Sequence, residues 1–152
     1  MKPGSKIPRS VLVVIYTTDL QVLMLERAGW PGFWQSVTGS IDHIGEPLIE
    51  TAAREVLEET GIDASKYPLT DWGIENRFEI FKKNLSRYAE GVTHNEERVL
   101  GLELPQILPV RLEPREHLDY RWLPWQEAAA STPSWSNRDA ILLLPQKLGR
   151  RV

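Results

Sequence analysis

The sequence has no cysteine, which rules out disulfide staples and thiolate metal sites and suits a reducing compartment. Histidine is scarce: His43, His94 and His117 are the only three, they lack any ligand spacing, and they read as ordinary surface residues. Long apolar runs are missing as well. The run that follows the basic N-terminal residues ends after six residues, Val11 to Tyr16, with no small-residue cleavage site behind it and far short of the ~20 residues a bilayer span needs. Positive charge is not in excess either. With 18 Lys and Arg against 21 Asp and Glu, the net charge is −3 and the pI about 5.7, so there is no basic field for nucleic acid. These absences describe a soluble, cytoplasmic protein without nucleic-acid or membrane partners; its oligomeric state is left open.

What is present is an ordinary globular composition, 41% hydrophobic and 26% charged, over 152 residues. That length suits one domain, residues 1–152, able to bury about 68–70% of its unfolded surface. The most informative stretch is Gly39 to Ile62, GSIDHIGEPLIETAAREVLEETGI. A glycine turn opens it, and Gly61 suits a left-handed helix stop. Between them the periodicity predicts one helix, Pro47 to Thr60, with Pro47 in the first turn and Ile49, Ala52, Ala53, Val56 and Thr60 on the buried stripe. Glu55 and Glu59 fall roughly 40° apart at the edge of that stripe, and Glu58 about 60° to the other side.

Three carboxylates on one helix face repel one another by a few tenths of a kcal/mol per exposed pair. Glu58 and Glu59 also lie in the last turn, where the helix dipole disfavours each anion by roughly 0.3–1 kcal/mol. A divalent cation reverses both penalties, and oxygen ligands suit magnesium, with manganese as the alternative. The plainer reading of an E-x-x-E-E helix is a solvated face, with Glu50 and Arg54 paired.

Gly39, Glu46 and the run Arg54-Glu55-Val56-Leu57-Glu58-Glu59-Thr60-Gly61-Ile62 resemble the signature box of the Nudix hydrolases, which act on nucleoside diphosphates linked to another moiety. From Glu46 onward the spacing matches in full. Between Gly39 and Glu46 the chain is one residue longer than the family pattern, and in the family the first glycine also lends its carbonyl to metal. The resemblance implies an α+β fold, a mixed sheet between helices in an α/β/α sandwich, and an Mg²⁺-dependent pyrophosphohydrolase. Glu55 and Glu59 are the expected primary ligands. Glu58 is a ligand through water or the base, and Arg54 with Glu46 is a brace between loop and helix. Family members often add a carboxylate from the loop before the last strand, here Glu116, with Glu113 second; as catalytic candidates Glu55, Glu58 and Glu116 stand together.

Along the chain, Ser10 to Thr17 reads as a strand buried on both faces, and Val22 to Glu26 as its hairpin partner ending at Arg27. That hairpin would bring Lys6 and Arg27 together, and a triphosphate needs local cations. Phe33 to Thr38 is a short strand, with Phe33 and Trp34 as core or platform and Thr38 beside the metal loop. Leu69 to Phe81 is extended, with Phe78 and Ile80 on one face and Glu79 and Phe81 on the other, an aromatic wall or core packing. Lys82 to Glu97 reads as a long polar loop, Arg98 to Leu104 as a strand, Pro105 to Pro114 as irregular and His117 to Leu123 as the last strand. A helix follows over Pro124 to Ser131, and Ser136 or Asn137 would cap a final helix to Leu148, broken near Pro145.

Outside the box, SVLVVIY, VLMLER, FWQSVTGS, FEIF, RYAEGVTHNEE, EHLDYRWL and SWSNR resemble the branch of the family that releases pyrophosphate from a pterin triphosphate in folate synthesis. That likeness implies substrate contacts at Lys6, Arg27, Thr38, Phe78, Glu79, Ile80, Phe81 and Ser134. The alternatives are a nucleoside triphosphate pyrophosphatase acting on dATP or similar, and a Nudix-like binding module without turnover.

Overall fold

The computed structural model describes residues 4–149; Lys2, the first basic residue of the N-terminal run, lies outside them. Strand β1 (Arg9–Thr17) is buried along nearly its whole length, as its unbroken β-branched and apolar run requires of a central strand. It runs parallel to β6 (His94–Leu104) from Arg9 opposite Glu96 to Thr17 opposite Leu104. On β6 lies antiparallel β5 (Leu69–Glu79). The other edge of β1 is shared. Strand β2 (Gln21–Arg27) pairs with β1 near the turn, Tyr16 opposite Val22, and β4 (Val37–Ser40) pairs with the beginning of β1, Ser10 to Val13. Strand β3 (Trp34–Gln35) pairs with the end of β2, and β7 (His117–Pro124) covers the remaining edge of β2. The segment from β3 to β4 thus passes from β2 to β1 where those strands part.

The side chains of β1 alternate between two cores. Val11, Val13 and Ile15 join Ala52 and Val56 of α1 (Leu48–Thr60) on one face. Leu12, Val14 and Tyr16 join Ala128 and Ala129 of α2 (Trp125–Ser131), Ala140 and Ile141 of α3 (Trp135–Leu142) and Leu144 of α4 (Leu144–Lys147) on the other. Each fully buried Val, Leu or Ile favours folding by about 1.5–3 kcal/mol, so the paired faces hold helices on both sides of a mixed sheet. This is the expected α+β sandwich.

Helix α1 begins one residue later than the periodicity suggests, because Pro47 is its N-cap, with extended backbone. Gly61 ends it at φ 76° as expected, its N–H donating to the Leu57 carbonyl. The buried stripe differs from the expected one: Ile49 is 44% exposed, and Thr51 and Glu59 are buried instead. The stripe is rotated toward the two polar side chains because each meets polar partners in the site. Strand β6 begins at His94, inside the stretch read as a loop, and Lys82–Arg87 forms a 3₁₀ turn. At the C-terminal end Ser134, not Ser136 or Asn137, caps α3, its hydroxyl accepting from the Asn137 N–H (3.3 Å). The continuous helix expected to Leu148 is interrupted at Leu143, and Pro145 lies in the first turn of α4.

Asn137 has a different role. Its Oδ1 accepts from the Ser36 N–H (2.7 Å) and its Nδ2 donates to Ser36 Oγ (2.9 Å), both fully inside the protein. Ser36 lies between β3 and β4, where the ladder is interrupted and a buried N–H needs another partner. This amide therefore pins the strand crossover to α3.

Candidate active site

Where β1 and β2 diverge, a cavity of about 1100 Å³ opens. Its walls come from both sides of the sheet. The C-terminal half of α1 and β4 supply Glu55, Glu58, Glu59, Thr38 and Gly39; the facing ends of β5 and β6 supply Phe78, Glu79, Asn95 and Glu97. Lys6 and Arg27 lie at strand ends, Glu113 to His117 precede or start β7, and Ser134 to Asn137 start α3. All the site residues expected to touch metal or substrate line this one space.

Glu46 and Arg54 form the expected brace. Arg54 Nη2 donates to Glu46 Oε1 (2.9 Å), which also accepts from the Thr51 hydroxyl (2.7 Å) and the Asp42 N–H (2.9 Å). Burial alone would raise the Glu46 pKa, but these donors hold it down to about 2. Arg54 also donates through Nη2 to the Ser40 carbonyl (3.3 Å) and through Nη1 to Glu55 (2.7 Å), and lies 4.0 Å from Glu58. The Glu50–Arg54 pair of the plainer reading is not formed among these contacts. The longer spacing between Gly39 and Glu46 is absorbed in the exposed turn at 42–45, where Gly45 has φ 86°, so the brace itself is undisturbed.

Glu55 and Glu59 meet. Burial raises both carboxyl pKa values, Glu59's well above the ordinary range, and the hydrogen bond between them lowers Glu55 while raising Glu59 further. Two carboxyls this close and this poorly hydrated disfavour each other's charged form, and their titrations are linked. Glu59 Oε1 is buried with no hydrogen-bond partner among the described residues. Gly39 packs against Glu55 so tightly that a Cβ on residue 39 would overlap its carboxyl. A divalent cation fits this donor set: it would offset the repulsion between the two carboxyls and satisfy the orphaned oxygen. Glu58 departs from the expected three-carboxylate cluster. Its side chain is 58% exposed, on the cavity rim, and among the described residues no three His, Asp or Glu side chains converge as a ready-made cation cage. The i, i+4 spacing pairs Glu55 with Glu59 and Glu58 with Arg54 (4.0 Å), which draws Glu58 away from the other two carboxyls.

Opposite the acids is a group of cations. Burial, then Arg87 and Arg27, lower the Lys6 pKa to about 8, and burial, then Arg87, lower that of Arg27. Like charges held together in a partly dry site call for an anion. The expected Lys6–Arg27 pairing is therefore present, and Arg87, from the 3₁₀ turn, joins it. Nothing in its local sequence singled it out, because its neighbours on the site come from distant strands.

His117 is the clearest departure from the sequence reading. It is 3% exposed, because it starts β7 opposite Arg27 and points inward. Its Nε2 lies 3.6 Å from Glu59 Oε1, but burial and then Arg27 lower its pKa to about 4, so the contact is not an ion pair at neutral pH. Glu116, next to it, is exposed at the cavity rim, and Glu113 pairs with Arg115 (2.8 Å).

The lining also combines apolar and polar side chains. Phe78 is half-buried and Ile80 buried, whereas Phe81, 48% exposed, stands at the lip. All of them line the space together with Glu79; the expected division into two faces fails because β5 ends at Glu79 and the chain turns. Phe81 meets Trp30 edge-on (5.1 Å) and Phe33 (6.1 Å), so Phe33 is both buried and part of the wall. Trp34 packs in the opposite core under Arg121 (4.4 Å). Asn95 and Glu97, hidden in the presumed loop, form the floor, and each has a buried acceptor oxygen with no partner among the described residues.

With this geometry in view, residues 6–144 match the sequence profile of the NUDIX domain. The chain is 49% identical to dihydroneopterin triphosphate diphosphatase of Escherichia coli (strain K12) over 139 residues, 90% of this chain and 91% of that protein. It is 42% identical over 137 residues to the protein of the same name from Haemophilus influenzae, covering 88% of this chain and 84% of that one. The fold superposes on the solved structure of the E. coli dihydroneopterin triphosphate pyrophosphohydrolase with a TM-score of 0.85, at 47% identity and over 95% and 97% of the two chains. Profile, relatives and architecture agree with the box helix and its carboxyl pair: the chain belongs to the Nudix family.

Proposed function

We propose that this protein hydrolyses dihydroneopterin triphosphate to dihydroneopterin monophosphate and pyrophosphate, using Mg²⁺. One observation carries the reading: a single cavity is lined by the linked carboxyls Glu55 and Glu59, the crowded cations Lys6 and Arg27, and a set of aromatic and polar side chains that includes Phe78, Phe81, Asn95 and Glu97. The naming of relatives at 49% and 42% identity supports the same substrate. The cytoplasmic setting, the single domain and the lack of nucleic-acid and membrane partners are kept from the sequence reading.

Glu55 and Glu59, with Glu58 and Glu116 from the rim, would hold the cation. When bound, it neutralises phosphate oxygens and lowers the pKa of a coordinated water. Lys6, Arg27 and Arg87 would bind the remaining phosphate charge, and Thr38 lies beside them on β4. Water oxygen bonds to a phosphorus of the anhydride as the bridging P–O bond breaks and pyrophosphate leaves; one water proton passes to a carboxylate. Of the two rim carboxylates, Glu58 and Glu116, the one that does not contact the cation directly would accept that proton, Glu55 and Glu59 being the primary ligands. Phe78, Ile80 and Phe81 would cover the ring, with Glu79 and Ser134 at its margins. The test is pyrophosphate release from dihydroneopterin triphosphate, GTP and dATP with and without Mg²⁺. Preference for the pterin is expected, and preference for dATP would overturn the proposal.

A further inference from the structure

Asn95 and Glu97 are alternate residues of β6 and share the face that continues into the buried Val99. Both line the cavity, at 4% exposure each. Asn95 Nδ2 donates to Ser10 Oγ (2.7 Å), which fixes the amide so that its Oδ1 is the atom left over. That Oδ1 and Glu97 Oε1 find no hydrogen-bond partner among the described residues. A buried acceptor without a donor is costly, and two on one cavity floor are a specific demand for a ligand that brings N–H groups.

We propose that Glu97, with Asn95 beside it, selects the substrate's ring by accepting from an aminopyrimidinone edge, where an exocyclic amino group and a ring N–H donate side by side. The inference rests on the proposed pterin substrate and names what reads it. A pterin and a guanine both carry that edge. Adenine carries an amino donor next to a bare ring nitrogen, whose lone pair would face the carboxylate. The floor therefore separates ring classes through acceptors that the phosphate-binding cations do not share. Glu97 is also kept ready for that role, since burial raises its pKa to about 7 against the opposing bonds from Ser136 and Asn76. The carboxylate is thus accessible near neutrality, and binding N–H donors favours it.

The test compares the wild-type protein with E97Q. The substitution keeps the shape and an oxygen for Ser136 and Asn76, but turns an N–H₂ toward the ring donors. The ratio of kcat/KM for dihydroneopterin triphosphate to that for dATP should fall roughly 10–100-fold, and phosphate-free dihydroneopterin, titrated by its fluorescence, should lose affinity by a similar factor. A structural role would depress both substrates together and leave the ratio alone, which overturns the inference, as does unchanged dihydroneopterin affinity. Thermal melting of E97Q reports whether the fold is retained. Should the wild-type protein fail to prefer the pterin triphosphate, the proposed function falls, and the dihydroneopterin titration still decides whether Glu97 reads that edge.

Discussion

The Glu55 carboxyl lies where a side chain on Gly39 would have to be. The first glycine of the box is thus held by a contact as well as by a turn: only a residue without Cβ lets β4 pass this close to α1. In Gly39→Ala, Glu55 must leave its place beside Glu59. Overpacking of this kind costs about 1–3 kcal/mol, and we expect a lower denaturation midpoint with Mg²⁺-dependent pyrophosphate release reduced at least as severely. Retained activity in a folded variant would show that the Glu55 position is not needed.

Glu59→Gln separates fold from turnover. Glu59 is buried with its pKa raised well above the ordinary range, so burial already penalises its charged form and an amide of the same shape suits the site. The amide should cost little stability and yet remove a cation ligand. Expected are a melting temperature close to wild type and a loss of pyrophosphate release of about 10²–10³-fold or more, on the scale of removing one key electrostatic group. Turnover at the wild-type rate would remove the assigned role.

The same pair predicts a pH signature. Carboxyls whose folded pKa is raised keep protons that the unfolded chain releases above about 4.5, so their contribution to stability is present below that value and is lost as pH rises through the folded pKa. A cation held by the pair would compete with protons for the same oxygens. The rise in melting temperature on adding Mg²⁺ should therefore grow as the pH is raised above the ordinary carboxylate range, with proton release seen by calorimetry in buffers of different ionisation enthalpy. A pH-independent gain without proton release would contradict the assignment.

Lys6 is depressed by burial first and by Arg87 and Arg27 next. Removing one neighbouring cation relieves it. Arg87→Ala should move the Lys6 titration upward from about 8, raise KM for the triphosphate and flatten its salt dependence, with little change in melting temperature because Arg87 is exposed. If KM and the salt slope are unchanged, Arg87 does not face the phosphates.

The box helix is legible because its residues are contiguous and periodic, although its buried stripe is rotated from the periodic one, and its brace follows from the resemblance to the family box. The central strand was equally plain, since burial on both faces demands an unbroken apolar run. The floor of the cavity was not. His94 to Glu97 read as loop because Asn95 and Glu97 face inward while Glu96 faces out, so a strand that lines a polar cavity loses the contrast that marks strands. His117 was missed for a related reason: its burial comes from pairing with Arg27 across the sheet, and no spacing in the chain records that. Asn137 was read as a helix cap, the commoner role of that residue type, when it serves a backbone break about a hundred residues away.

The most direct measurement is pyrophosphate release from dihydroneopterin triphosphate by the wild-type protein, with Mg²⁺ and after its removal by a chelator. The acid pair and the cation group predict rapid release with Mg²⁺ and none without it, restored on adding the metal back. Equal rates in the two conditions, or no release in either, would contradict the claim that Glu55 and Glu59 join a divalent ion to a triphosphate.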